Sequence, residues 1–214
     1  MTVPSAASPP IRSLSPRPAW DDGAPPGGAL VVLDACVLMS GVVRPLLLRL
    51  AAAGRFRPVW SERIGQEWRR NAARIWQVEP ALLDAQWQAM QEAFPQADCG
   101  EVDAWKADLR YSDPKDWHVI AAGRAARSRT PGAPACVLTW NLKDFNRTEL
   151  RRLGLAVLDP DRLLAGWWPG HAALLRGALA GVEADALALG RTPAPLAAIL
   201  QRERLYRLGK LLAA

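Results

Sequence analysis

A chain of 214 residues, half of them hydrophobic, can bury one sizeable core with an appendage. No apolar run reaches the ~18 residues needed to span a bilayer. Pro4, Pro9, Pro10, Pro16 and Pro18 stand where a secretory signal would be apolar, so a cytoplasmic chain is expected. A net charge of +6 favours a polyanionic partner, although arginine richness also follows from a GC-rich genome.

Residues 1 to 27 are rich in Pro, Ser, Ala and Gly, lack periodicity, and read as a disordered tail. Ala29-Leu-Val-Val-Leu-Asp is a short β-branched apolar run ending in a carboxylate, the mark of a buried parallel strand. Leu46 to Ala53 reads as helix and stops at Gly54. Arg57-Pro-Val-Trp is a second strand, and Ser61 can cap a helix running to about Trp76. Pro80 to Phe94 predicts an amphipathic helix with Leu83, Trp87 and Met90 on one face. Residues 95 to 112 look like a connection. Pro114 then opens a helix ending near Ser128.

Ala135-Cys-Val-Leu-Thr is a third strand and Leu155-Ala-Val-Leu a fourth. Strands alternating with helices predict an α/β sandwich, with helices on both faces of a parallel sheet of about four to five strands. Residues 28 to 160 would form this domain. Residues 161 to 214 read as a helical extension, with Thr192-Pro193 opening its last helix. The extension carries seven basic and four acidic residues, a net +3 suited to RNA or a partner. Arg202, Arg204, Arg207 and Lys210 read more simply as a solvated helix face. Cys36, Cys99 and Cys136 form no C-x-x-C pair. They support neither a zinc knuckle nor a disulfide framework and are expected as small buried hydrophobes in a reducing compartment. Most of the ten tryptophans should be core or partner-facing anchors.

In open parallel sheets, ligands sit beyond the carboxyl ends of the strands. Asp34 follows Val31-Val32-Leu33 there, and Asn141 and Asp144 follow Val137-Leu138-Thr139. Asp113 and Asp116 flank the start of the helix before that strand, and Glu67 lies in the helix after the second strand. Hard oxygen ligands gathered in this way suit Mg²⁺ or Mn²⁺, which neutralises their repulsion and can activate water for attack on phosphorus.

The segments Leu33-Asp-Ala-Cys-Val-Leu, Gln66-Glu-Trp-Arg-Arg-Asn, Asp113-Pro-Lys-Asp-Trp-His-Val-Ile-Ala-Ala and Leu138-Thr-Trp-Asn-Leu-Lys-Asp-Phe resemble the ordered motifs of bacterial PIN domains, including VapC-like toxins of type II toxin–antitoxin systems. The resemblance covers about residues 29 to 160. It implies a three-layer α/β/α fold, Mg²⁺- or Mn²⁺-dependent RNA cleavage, an antitoxin partner and a possible homodimer. It makes Asp34, Glu67 and Asp116 the first three acids. Where many members have Thr-x-Asp, this chain has Thr139-Trp140-Asn141, so either Asn141 or Asp144 completes the set.

Simpler structural roles compete with these. Asp34 and Asp113 can be helix caps, Glu67 a partner for Arg63 or Arg70, and Asp144 a cap. Thr139 is expected to orient a carboxylate or to be a plain strand residue. His118, two positions from Asp116, should point away from it on a helix and serve packing. His171 has no evident partner. Arg69, Arg70 and Arg74 could cradle phosphate, although a solvated basic face is the simpler reading. Two other functions stay open. One is a catalytically impaired PIN fold that binds nucleic acid or protein. The other is a haloacid-dehalogenase-like phosphatase, disfavoured because Cys36 stands where its second aspartate would be.

Overall fold

The computed structural model describes residues 24–214; residues 1–23, most of the expected tail, lie outside the described residues. Order begins before Ala29. Pro25 is buried, and its carbonyl accepts from Trp167 Nε1 (2.8 Å) and Arg55 Nη2 (3.2 Å). Ala24 and Pro25, assigned to the tail, are therefore packed, because two side chains distant in sequence supply donors for that carbonyl.

Four strands form one parallel sheet in the order β2-β1-β3-β4: β1 Leu30–Leu33, β2 Arg57–Val59, β3 Ala135–Leu138 and β4 Ala156–Leu158. Leu30 pairs with Arg57 on one side and Ala135 on the other. Every residue of β1 and β3 is buried, so both faces of the sheet are covered, as a sandwich requires. The chain leaves β1 in one direction toward β2 and leaves β3 in the opposite direction toward β4. The crevice beyond the ends of β1 and β3 is thus the topological switch point of the sheet.

After β1 comes a single turn, α1 (Ala35–Leu38), which periodicity could not signal at four residues, and then α2 (Val43–Ala52). α2 starts three residues before the expected Leu46. Ser40 accounts for this, since its Oγ accepts from the Val43 N–H at 2.8 Å. α3 (Glu62–Trp76) is capped by Ser61 as expected, and α4 (Pro80–Ala93) follows. α5 (Trp117–Arg129) lies against the sheet and is buried almost all round; Gly123 brings its backbone close to Val32. α6 (Arg147–Arg152) precedes β4. The chain then continues through α7 (Pro160–Leu179), α8 (Val182–Ala188), α9 (Leu196–Arg202) and α10 (Tyr206–Ala213). α7 is kinked at His171, two residues after Pro169. The last helices start at 196 and 206 rather than at Thr192-Pro193, because Pro195 is extended and caps α9.

The extension shares the core. Trp167 stacks on Phe56 with ring centroids 5.6 Å apart, and Arg55 lies over the Trp167 ring at 4.4 Å. Asp161, buried at the start of α7, accepts the N–H groups of Arg207 and Leu208 and so fixes α10. No helix among the described residues is long and apolar enough to cross a membrane.

The tryptophans bear out the expectation of core anchors between α3 and α4. Trp87 packs 5.7 Å from Trp60 and 6.1 Å from Trp68. Gly65 makes room for it, since a Cβ there falls inside contact distance of the indole. Gly65→Ala gains up to ~1 kcal/mol in helix propensity but overpacks a rigid ring at a cost of ~1–3 kcal/mol. We expect a lower melting temperature; an unchanged or raised one would contradict this packing.

Candidate active site

Asp34 follows β1 and is 3% exposed. Its N–H donates to the Leu138 carbonyl (3.1 Å), which locks the end of β1 to the end of β3. Thr139 Oγ1 donates to Asp34 Oδ2 at 2.6 Å, and the Cys36 thiol donates to the same oxygen at 3.1 Å. Thr139 is therefore an orienting residue. Asp34 makes no side-chain capping bond to α1. Burial pushes its carboxyl up despite these two donors, and Glu67 adds to the rise. Cys36 is only half-buried and is a hydrogen-bonding neighbour of Asp34, Thr139 and the Trp140 N–H. Burial, and next the Asp34 charge, hold its thiol protonated. Cys99 and Cys136 are buried among apolar side chains as expected.

Asp116 does not stand inside a helix. Pro114–Asp116 form a 3₁₀ turn, and Asp116 (φ −102°, ψ 0°) occupies the N-cap position of α5. The helical spacing argument that turned His118 away from the acids therefore fails. His118 is 5% exposed, and its Nε2 lies 3.0 Å from Glu67 Oε2, off the line of a good hydrogen bond. Its role is to hold Glu67, not packing alone. The His118 ring, with help from Arg70 and Arg63, keeps the Glu67 carboxyl below its usual range. Only the fold reveals this link, because it joins α3 to α5.

Asp116 feels all the other acids. Its carboxyl is pushed up to about 6 by burial and by the charges of Asp34, Asp144 and Glu67, while His118 relieves it. Asp144 reaches this neighbourhood because the Asp113 N–H donates to its backbone carbonyl at 2.8 Å. Behind that contact, Glu149 on α6 accepts the N–H groups of Arg110 (2.7 Å), Tyr111 (3.1 Å) and Ser112 (2.9 Å). Glu149 is a positioning residue that the sequence did not single out. Asn146, not Asp144, caps α6.

Asp113 is a cap, its carboxylate accepting from the Lys115 N–H at 2.9 Å. Asn141 is exposed, and its N–H donates to Thr139 Oγ1 at 3.0 Å. Arg69 turns away from the acids: it pairs with Glu62 and Asp84 and lies over the Trp87 ring. Its place on the α4 side of α3 leaves Arg70, beside Glu67, as the basic residue of that run nearest the site. Arg74 is exposed one turn further on.

The donors are hard carboxylate oxygens. Among the described residues, no three His, Cys, Asp or Glu side chains stand so as to hold a metal ion together. Two carboxyls raised by burial and mutual repulsion nonetheless mark a place where positive charge is lacking. That fits a cation held through few protein ligands and keeping its waters, the habit of Mg²⁺.

The Thr139–Asp34 bond gives a direct test. Thr139→Val keeps the shape but strips a donor from a buried carboxylate, at a cost of about 1–3 kcal/mol. The melting temperature should fall. A variant that melts with the wild type would contradict the bond.

No curated protein and no solved structure matches the chain. The family model of the PIN domain matches residues 30–143. PIN domains are generally nucleases and typically use divalent metals. The matched segment contains Asp34, Glu67, Asp116, Thr139 and Asn141 and ends one residue before Asp144. A match over more than half of the chain, on a parallel sheet with its acids at the switch point, places this chain in the PIN-domain family.

Proposed function

We propose that this protein is a metal-dependent endoribonuclease, acting as the toxin of a toxin–antitoxin pair. The observation that carries the nuclease reading is the mutual repulsion of Asp34, Asp116, Asp144 and Glu67 at the switch point of the sheet. A bound Mg²⁺ or Mn²⁺ at Asp34, Asp116, Glu67 and Asp144 supplies charge neutralisation and Lewis-acid activation of water at the phosphate. Thr139 and Cys36 orient Asp34, and His118 steadies Glu67. Arg63 and Arg70, on the same helix as Glu67, offer positive charge to the incoming strand. Asp144, half-buried and close enough for its charge to raise the Asp116 carboxyl, is a better fourth ligand than exposed Asn141.

RNA as the substrate, the antitoxin and a homodimer rest on the resemblance to VapC-like toxins. A single-stranded RNA should be cut with Mg²⁺ or Mn²⁺, spared with EDTA, and cut again when metal is restored. Either ion should also raise the melting temperature by mass action. RNA left intact at every divalent ion tried would overturn the ribonuclease reading. A chain that binds RNA without cutting it would favour the second reading, an impaired PIN module, for which Asn141 in place of an acid is the motive. A short antitoxin frame upstream of the gene is the test of the toxin role.

A further inference from the structure

Where the α9–α10 turn, outside the matched family segment, meets Trp140 inside it, an open cavity of about 250 Å³ is lined by Trp140, Arg202, Glu203 and Arg204. The cavity adjoins the acidic centre. Trp140 follows Thr139, and its N–H donates at 3.3 Å to Cys36 Sγ, which itself bonds Asp34. Glu203 is held on the domain side by Ser40 Oγ (2.6 Å), and its charge is met by Arg191 Nη1 (2.6 Å). Arg202 and Arg204 are exposed, and no ion pair engages either among the described residues. The balance of the cavity is positive.

Arg204 is also in an unfavourable place. It follows the C-cap of α9 at φ 61°, with its N–H bonded to the Gln201 carbonyl and the Leu205 N–H to the Leu200 carbonyl. This is the six-residue helix stop whose left-handed position glycine normally fills. A side chain kept there at a conformational cost points to a use for that side chain.

We propose that this cavity is a nucleotide subsite beside the acidic centre, with a base against Trp140 and its phosphate held by Arg202 and Arg204. The proposal rests on the ribonuclease reading and adds where the substrate strand runs. An aromatic wall with paired guanidiniums is the usual means of holding single strands without reading sequence.

The test measures binding of a short fluorescent single-stranded RNA by anisotropy, in an Asp34→Asn background with Mg²⁺ so that the RNA stays intact. Arg202→Ala with Arg204→Gly should weaken binding about tenfold and lower the salt slope by about 1. Trp140→Leu should also weaken it about tenfold, with little change in slope. Arg204→Gly alone should melt no lower than its parent, which separates binding from folding. Binding within twofold of the parent in both the arginine pair and Trp140→Leu, with the salt slope unchanged, overturns the subsite and leaves the nuclease reading intact. Failure of the unmutated chain to bind or cut single-stranded RNA overturns the ribonuclease reading, and the subsite with it.

Discussion

Asp34→Asn should lower RNA cleavage by about three orders of magnitude while making the metal-free protein harder to melt at neutral pH. The first effect follows from its place as the most buried of the four acids. The second follows from electrostatics. Asp34 and Asp116 both have carboxyls raised by folding, so each favours the native state when protonated. That contribution is present below pH ~4 and is lost as the pH rises through the folded values, about 6 for Asp116. At about 1.4 kcal/mol per pH unit, halved for partial solvent exposure, Asp116 alone gives up about 1–2 kcal/mol by pH 7. Removing the Asp34 charge relieves its neighbour as well. Melting followed from pH 4 to pH 7 in EDTA should show a steeper fall in wild type than in the variant. Parallel curves, or a variant that cuts RNA at the wild-type rate, would refute the assignment.

Glu149→Ala should be the most damaging change outside the acidic set. A 6%-exposed carboxylate there accepts three consecutive backbone N–H groups. Its removal leaves those donors short of partners, and about 3 kcal/mol or more should be lost. At 2–4 °C per kcal/mol, that lowers the melting temperature by roughly 10 °C. Burial raises the Glu149 carboxyl, but the Ser112 hydroxyl and the three N–H groups outweigh it, and the folded value is low. The stabilisation is therefore full above the ordinary glutamate range and fades as acid carries the pH through the lowered value. Because the segment it holds leads to Asp113 and Asp116, cleavage should fall even at temperatures where the variant stays folded. Normal cleavage by a folded Glu149→Ala would show that Asp116 is positioned by other contacts.

Much of the fold was legible because short buried strands are written as unbroken apolar runs. Val31-Val32-Leu33 and Cys136-Val137-Leu138 are apolar on both faces and can be little else. Asp34 and Asp144 were legible because strand ends are where sheet chemistry gathers, and Glu67 and Asp116 through the motif order. His118, Cys36 and Glu149 were not. Each acts through a partner on another element, so spacing carries no trace of it. His118 was further hidden because Asp116 sits on a 3₁₀ turn that a helical wheel misplaces. The extension read as a helical appendage, and its tie to the core was hidden because the Ser40–Glu203 contact spans 163 residues.

The position of β1 at the middle of the sheet has a consequence for synthesis. Asp34 leaves the ribosome well before its Thr139 partner, which lies 105 residues later. At roughly 5–20 residues per second, about 5–20 s of translation separate the two. Until β3 emerges, β1 has no neighbour on that side, and the centre lacks both the Thr139 hydroxyl and Asp144. The acidic centre is thus assembled only after β3 and the turn that carries Asp144 have been made.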